Sequence, residues 1–243
     1  MKTEISAAFL ALVGVFAVSG AVLVVAPPFA AIATFVFVLS GWIISLCLHE
    51  YAHAATAAAF GDTTIAESGY LTLNPVHYFR GTGSLVLPVI ALVMGGIALP
   101  GGAVMIRNDL ITRRWQRSLV ALAGPLATLL ALVVSYGAAS LTGSLPMLRE
   151  ALILLAFFEL MAFVLNILPV PGLDGFSVVS PWLPRAVTSV VPRGLGGIIT
   201  LVLLVAVFFF GYRIIMPVMV VIVHMLHLDF SGLGDGYDRF HFW

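Results

Sequence analysis

Residues 31–60 read AIATFVFVLSGWIISLCLHEYAHAATAAAF, an apolar run long enough to cross a bilayer that nevertheless carries His49, Glu50 and His53. Their order is H-E-x-x-H. On an α-helix, residues four apart lie about 40° apart around the axis, so the two imidazoles project from one face and can hold one zinc ion. Glu50 stands roughly a third of a turn from His49, where it cannot easily ligate but can reach a water on that metal as general base. Such a five-residue pattern recurs by chance in unrelated chains. Against chance stands the bilayer: a buried acid near its centre costs about 2.5–3.5 kcal/mol on insertion scales, roughly the contribution of six good apolar residues. A metal site is therefore expected, the alternative being a polar contact between helices. From His53 to Phe60 is about 10 Å of helix, which puts the motif below one membrane face and not at the midplane.

The rest of the chain suits the same solvent. It has 243 residues, 61% of them hydrophobic, and a mean hydropathy of +1.14. Only 9% are charged, against about a quarter in soluble domains, so the fold class expected is an all-α polytopic membrane protein. Lys+Arg and Asp+Glu are balanced at 11 each, which excludes a basic stripe for nucleic acid and an acidic tail for a basic partner. Cys47 is the single cysteine, so no internal disulfide forms. It lies on roughly the opposite side of the helix from His49 and is expected to pack rather than ligate.

Outward from the motif, residues 5–25 form a first apolar helix, too long for the h-region of a signal peptide. Pro27-Pro28 turn the chain into the metal-binding helix, which stops near Gly61-Asp62. Residues 63–73, TTIAESGYLTL, partly alternate β-branched and aromatic with polar residues, and predict a short β hairpin whose edge a substrate peptide could join. Residues 84–100 are apolar but broken by Pro88, Gly95-Gly96 and Pro100, and are short for a span. Arg107, Arg113, Arg114 and Arg117 then form the densest positive cluster, which the positive-inside tendency makes cytoplasmic. Residues 119–141 and 149–168 are good spanning helices. The second breaks at Pro169 and Pro171, where an unwound segment is expected. Residues 194–228 are too long for one simple span. The polar stretch 229–243 is expected to be a disordered or interfacial tail.

Should Asp174, beyond the end of the 149–168 helix, be the ligand that joins His49 and His53, as the family resemblance of the sequence implies, that helix must run in the same direction as the motif helix. The broken 84–100 run must then be re-entrant. Together these give about five to six transmembrane helices, a short β hairpin and a re-entrant segment after the metal-binding helix.

A hydrolytic zinc site takes three protein ligands and an open position for water. Only Glu50, Glu159 and Asp174 among the acids lie in strongly apolar surroundings. Asp174 follows the broken helix, where freed backbone can aim a short side chain. Glu159 sits in mid-helix on the same face as Asn166, where a polar partner in the bundle is its ordinary role.

The chain resembles the site-2 protease family of intramembrane zinc metalloproteases. The resemblance rests on His49-Glu50-x-x-His53, on Ala123-Gly124-Pro125, on Leu71-Thr72-Leu73-Asn74-Pro75, and on the segment from Asn166 to Gly175, which is similar to the family's N-x-x-P-x-x-x-L-D-G pattern. It covers about residues 40–176, with the motifs in the family's order. It implies one Zn2+ per chain held by His49, His53 and Asp174, Glu50 as catalytic acid and base, and Asn166 in a substrate cleft. It further implies a multi-pass cell-membrane protease with its site toward the cytoplasm, acting on membrane proteins with a transmembrane segment. Residues 1–228 would form a single intramembrane metalloprotease domain. The family often has proline where Gly172 stands and glycine where Phe176 stands. Many relatives carry PDZ or CBS domains, for which there is no room here, so substrate choice would rest on the membrane domain or on a separate regulatory partner. His77 is given no role.

Two other classes fit parts of the sequence. A polytopic metal-ion transporter would use His224 and His227 as a second station. A CAAX-processing membrane metalloprotease would take Glu159 as third ligand.

Overall fold

The computed structural model describes residues 5–78, 86–95, 104–184 and 215–242, with positions 188, 202, 206 and 213 between the last two. All regular structure among them is helical. Helix α1 spans Ala7–Val25, with Ser6 Oγ accepting from Phe9 N–H at 3.2 Å as its N-cap. A 3-10 turn at Pro27–Phe29 leads into α2, Ala30–Ala59, and α6, Arg114–Leu141, is the third long apolar helix. By length and composition these three can cross a membrane. Between α2 and α6 come α3 (Ile65–Ser68), α4 (Pro75–Tyr78) and α5 (Val86–Gly95). After α6 come α7 (Pro146–Asn166), α8 (Asp174–Val179), α9 (Ile215–Met225) and α10 (Leu233–Phe240). Of the arginine cluster, Arg107 and Arg113 precede α6 in a loop, while Arg114 and Arg117 stand in its first turn.

Close packing gives the helix directions. A Cβ at Gly41 would stand 2.7 Å from Leu155 and 2.8 Å from Phe16, and one at Gly20 would stand 3.0 Å from Phe37. Small residues therefore let α1, α2 and α7 approach closely. Phe16 meets Gly41 and Gly20 meets Phe37, so α1 runs antiparallel to α2. Leu155 meets Gly41, while Glu159 and Asn166 share a small cavity with Ser45 and His49, so α7 runs parallel to α2. Helix α6 is antiparallel to both, since His53 meets Val120 and His49 meets Thr128. The C-terminal ends of α2 and α7 and the N-terminal end of α6 thus share one end of the bundle.

The expected β hairpin at 63–73 is not formed. Residues Ile65–Ser68 are helical and Tyr70–Thr72 make a 3-10 turn. Local hydrogen bonds outcompete strand pairing there: Asp62 Oδ1 accepts from Thr64 N–H at 3.1 Å, Ser68 Oγ donates to Ile65 C=O at 2.7 Å, and Tyr70 N–H donates to Ser68 Oγ at 3.2 Å. Gly69, with φ 80°, ends the short helix in the left-handed conformation.

The stretch expected to be disordered or interfacial contains α10, packed on α2 and α7. Phe240 is fully buried, with Phe158 edge-on at 5.7 Å. Arg239 pairs with Glu150, and Arg149 donates to Asp229 and Ser231 at 3.0 and 2.9 Å. Polar composition hid an amphipathic helix of about two turns. The division of residues 194–228 into one or two membrane segments lies largely outside the described residues, as do Arg80, Arg185 and Arg193 and both ends of the 84–100 run.

Candidate metal centre

His49 and His53 emerge from α2 one turn apart, both buried, with ring centroids 4.7 Å apart. Each Nδ1 is engaged from α6: His53 Nδ1 lies 2.7 Å from the Val120 carbonyl and His49 Nδ1 lies 2.9 Å from Thr128 Oγ1. A carbonyl only accepts, so His53 carries its proton on Nδ1 and turns Nε2 inward. Thr128 Oγ1 donates to Gly124 C=O at 3.4 Å, which leaves it to accept from His49 Nδ1–H in the same way. Two imidazole nitrogens are thereby aimed at one point by outer partners.

Asp174 completes the group. Helix α7 ends at Asn166, and the chain then turns through Val170-Pro171-Gly172-Leu173, where Leu173 N–H donates to Val170 C=O at 3.0 Å and Gly172 has φ 99°. Proline second and a positive-φ glycine third make this a type II turn. Proline at position 172 could not adopt that φ, which accounts for the departure at this position. The turn delivers Asp174 as the first residue of α8. Gly175 then passes so close to the end of α7 that a Cβ would stand 2.1 Å from the Ile167 carbonyl.

Asp174 Oδ2 lies 3.0 Å from His49 Nε2, Oδ1 lies 3.4 Å from His53 Nε2, and the two Nε2 atoms are 3.1 Å apart. Two ligands about 2.0–2.1 Å from a tetrahedral zinc ion would be about 3.3–3.4 Å apart, so the spacing suits one ion. Three such atoms cannot converge without protons or a cation between them. Where protons fill that role, burial raises the Asp174 carboxyl, but hydrogen bonds from His49 and His53 outweigh it and hold the group well below the usual carboxylate range. Glycine at 124 keeps the space free, since a Cβ there would stand 2.2 Å from His53 Nε2 and 2.6 Å from His49 Nε2. His49, His53 and Asp174 are the group among the described residues that could hold a metal ion.

Glu50 is buried beside the histidines, with Oε2 accepting from Val104 N–H at 3.1 Å. It lines a cavity of about 660 Å3 together with His53, Asp174, Val104, Ala121 and Phe176. Asn166 is buried and does not line this cavity. It borders a small one of about 20 Å3 with His49, Thr128 and Glu159. Glu159 faces Ser45 and Ser135 instead of joining the histidines. His77 packs its ring over Gly69. Sequence reasoning missed Thr128, the Val120 carbonyl and Val104. Of these only Thr128 left a signal, one turn after Gly124 and so on the same face.

The chain is similar to known proteins over most of its length. It is 39% identical over 203 residues, 81% of this chain and 78% of the relative, to "Putative zinc metalloprotease Rip2" of Mycolicibacterium smegmatis. The protein of that name in Mycobacterium tuberculosis is 44% identical over 181 residues, 72% of this chain and 70% of the relative. YwhC of Bacillus subtilis, named in the same form, is 31% identical over 156 residues, 60% of this chain and 69% of the relative. No family model matches the chain, and no solved structure does.

Proposed function

The chain belongs to the site-2 protease family of intramembrane zinc metalloproteases, and we propose that it cuts membrane proteins in or near a transmembrane segment, with Glu50 as acid and base. The observation that carries this reading is the meeting of His49, His53 and Asp174 around a point that only glycine at 124 leaves open. Those three residues would hold zinc, which when bound supplies Lewis acidity toward the scissile carbonyl and acidifies water. Glu50 takes the proton of the attacking water and hands it to the leaving amine. Oε2 is held by Val104 N–H, which leaves Oε1 for the proton. Asn166 ends α7 beside the turn that carries Asp174; the family resemblance gives it an unwound substrate to hold, which would have to open the small cavity that Asn166 borders. A helix hides its carbonyls in its own hydrogen bonds, so a substrate must unwind before it is cut.

The test uses purified protein: one zinc per chain and cleavage of a transmembrane peptide. Asp174→Ala should lose zinc as His53→Ala does, since each leaves two protein ligands, while Glu159→Ala should retain it. Zinc lost from Glu159→Ala and kept in Asp174→Ala would favour the CAAX-type ligand set. Metal flux into proteoliposomes without cleavage would favour a transporter.

The same reading gives the protein several spans and a cytoplasmic site. Asp62 Oδ2 accepts from Arg107 N–H at 2.7 Å, so the intervening chain returns to the end of the bundle it left. Within it, α5 sets Ala91 and Leu92 into the main core, as a re-entrant segment covered by protein would. Arg113, Arg114 and Arg117 lie at that end, which supports a cytoplasmic orientation. With Cys47 replaced, cysteine at position 109 should label from the cytoplasmic side. Labelling only from outside would reject the orientation.

A further inference from the structure

Val104 N–H is not the only donor its segment gives to the metal-binding helix and the turn that follows it. Three residues on, Arg107 N–H donates to Asp62 Oδ2 at 2.7 Å. Between these two bonds the side chains alternate: Val104 and Ile106 pack against the cluster of Ala54, Ala57, Ile65 and Val120, while Met105 is 78% exposed. Such alternation is that of a β-strand. Val104, Met105 and Ile106 also line the cavity that holds Glu50. One wall of the cleft is therefore hung between two carboxylates, of which only Glu50 has a part in the chemistry.

Asp62 is fully buried. Its Oδ1 accepts from Thr64 N–H at 3.1 Å and Thr64 Oγ1 at 2.6 Å, which is the usual work of an aspartate closing a turn after a helix. That local role leaves Oδ2 unexplained. A buried carboxylate oxygen needs its own donor, and here the donor comes from 45 residues away in sequence.

We infer that Asp62 is a positioning residue for the reaction: through Oδ2 it fixes the 104–107 segment, so that Val104 N–H meets Glu50 Oε2 and leaves Oε1 toward the attacking water. The inference rests on Glu50 being the base. Displacing a reacting group by about 1 Å can cost up to about a hundredfold in rate.

Arg107→Pro deletes the amide donor. The control is Asp109→Ala, which removes only the exposed pair with the Arg107 side chain. Arg107→Pro should lower kcat about tenfold, with KM within about twofold, zinc still at one per chain, and faster hydrogen exchange at the Val104 amide. Asp109→Ala should match the wild type in all four. Asp62→Asn, close in volume, should repeat the Arg107→Pro result and carries the test if the proline variant does not accumulate. Arg107→Pro indistinguishable from Asp109→Ala would overturn the inference, as would loss of zinc in step with activity, which would make the contact a structural one. An active Glu50→Gln would instead remove the base assignment itself.

Discussion

Glu50→Gln keeps one zinc per chain and loses cleavage by about 10²- to 10⁴-fold, the range for removal of a general acid or base. The side-chain amide has the shape of the carboxylate and still offers an oxygen to Val104 N–H, so the cavity wall stays in place. The three atoms that would hold zinc belong to His49, His53 and Asp174 and are untouched. What is lost is the capacity to take a proton from water and return it to the amine. Metal analysis and single-turnover cleavage on the same preparation read both halves. Cleavage at a near-normal rate would take Glu50 out of the mechanism.

Gly124→Ala is expected to lower zinc affinity by at least the 10- to 100-fold seen when the outer partners of a metal site are removed. The added methyl would stand 2.2 Å from His53 Nε2 and 2.6 Å from His49 Nε2, in the space that an ion between them would take. The imidazoles cannot swing aside without breaking their bonds to Val120 and Thr128. Gly137→Ala is the matched control on the same helix: a Cβ there meets nothing within 4 Å. It should leave zinc unchanged and stabilise the helix by about 0.5–1 kcal/mol. Equal zinc affinity in the two variants would mean that α6 does not pack on the motif as described.

The parts of this site that follow from local periodicity were legible in the sequence, and those set by chains meeting in space were not. His49, Glu50 and His53 are fixed relative to one another by the helix that carries them, so their spacing alone announced them. The apolar runs gave α1, α2, α6 and α7 to within a few residues. Asp174 could not be separated from Glu159 on burial alone, because its approach to His53, 121 residues earlier, depends on the turn just before it. That turn had left its mark as Pro171-Gly172. The hairpin at 63–73 failed for a physical reason: alternation was outweighed by Asp62, Thr64 and Ser68 bonding to nearby backbone. Asp62 itself looked like a helix stop, and nothing local pointed to Arg107.

The partners that α2 meets at the site come late in the chain, and this bears on biogenesis. Thr128 follows His53 by 75 residues and Asp174 follows it by 121. At about 5–20 residues per second, synthesis leaves His49, Glu50 and His53 in the membrane for about 4–15 s before Thr128 exists, and about 6–24 s before Asp174 does. During that interval the apolar remainder of α2 and its packing on α1 must keep the helix inserted. Polar substitutions on its lipid-facing side, at Ile32 or Leu48, would therefore reduce the yield of inserted protein without touching any contact of the finished site. On the proposed ligand set, zinc would be captured only after α8 has emerged, so loading would report assembly of the site rather than guide it.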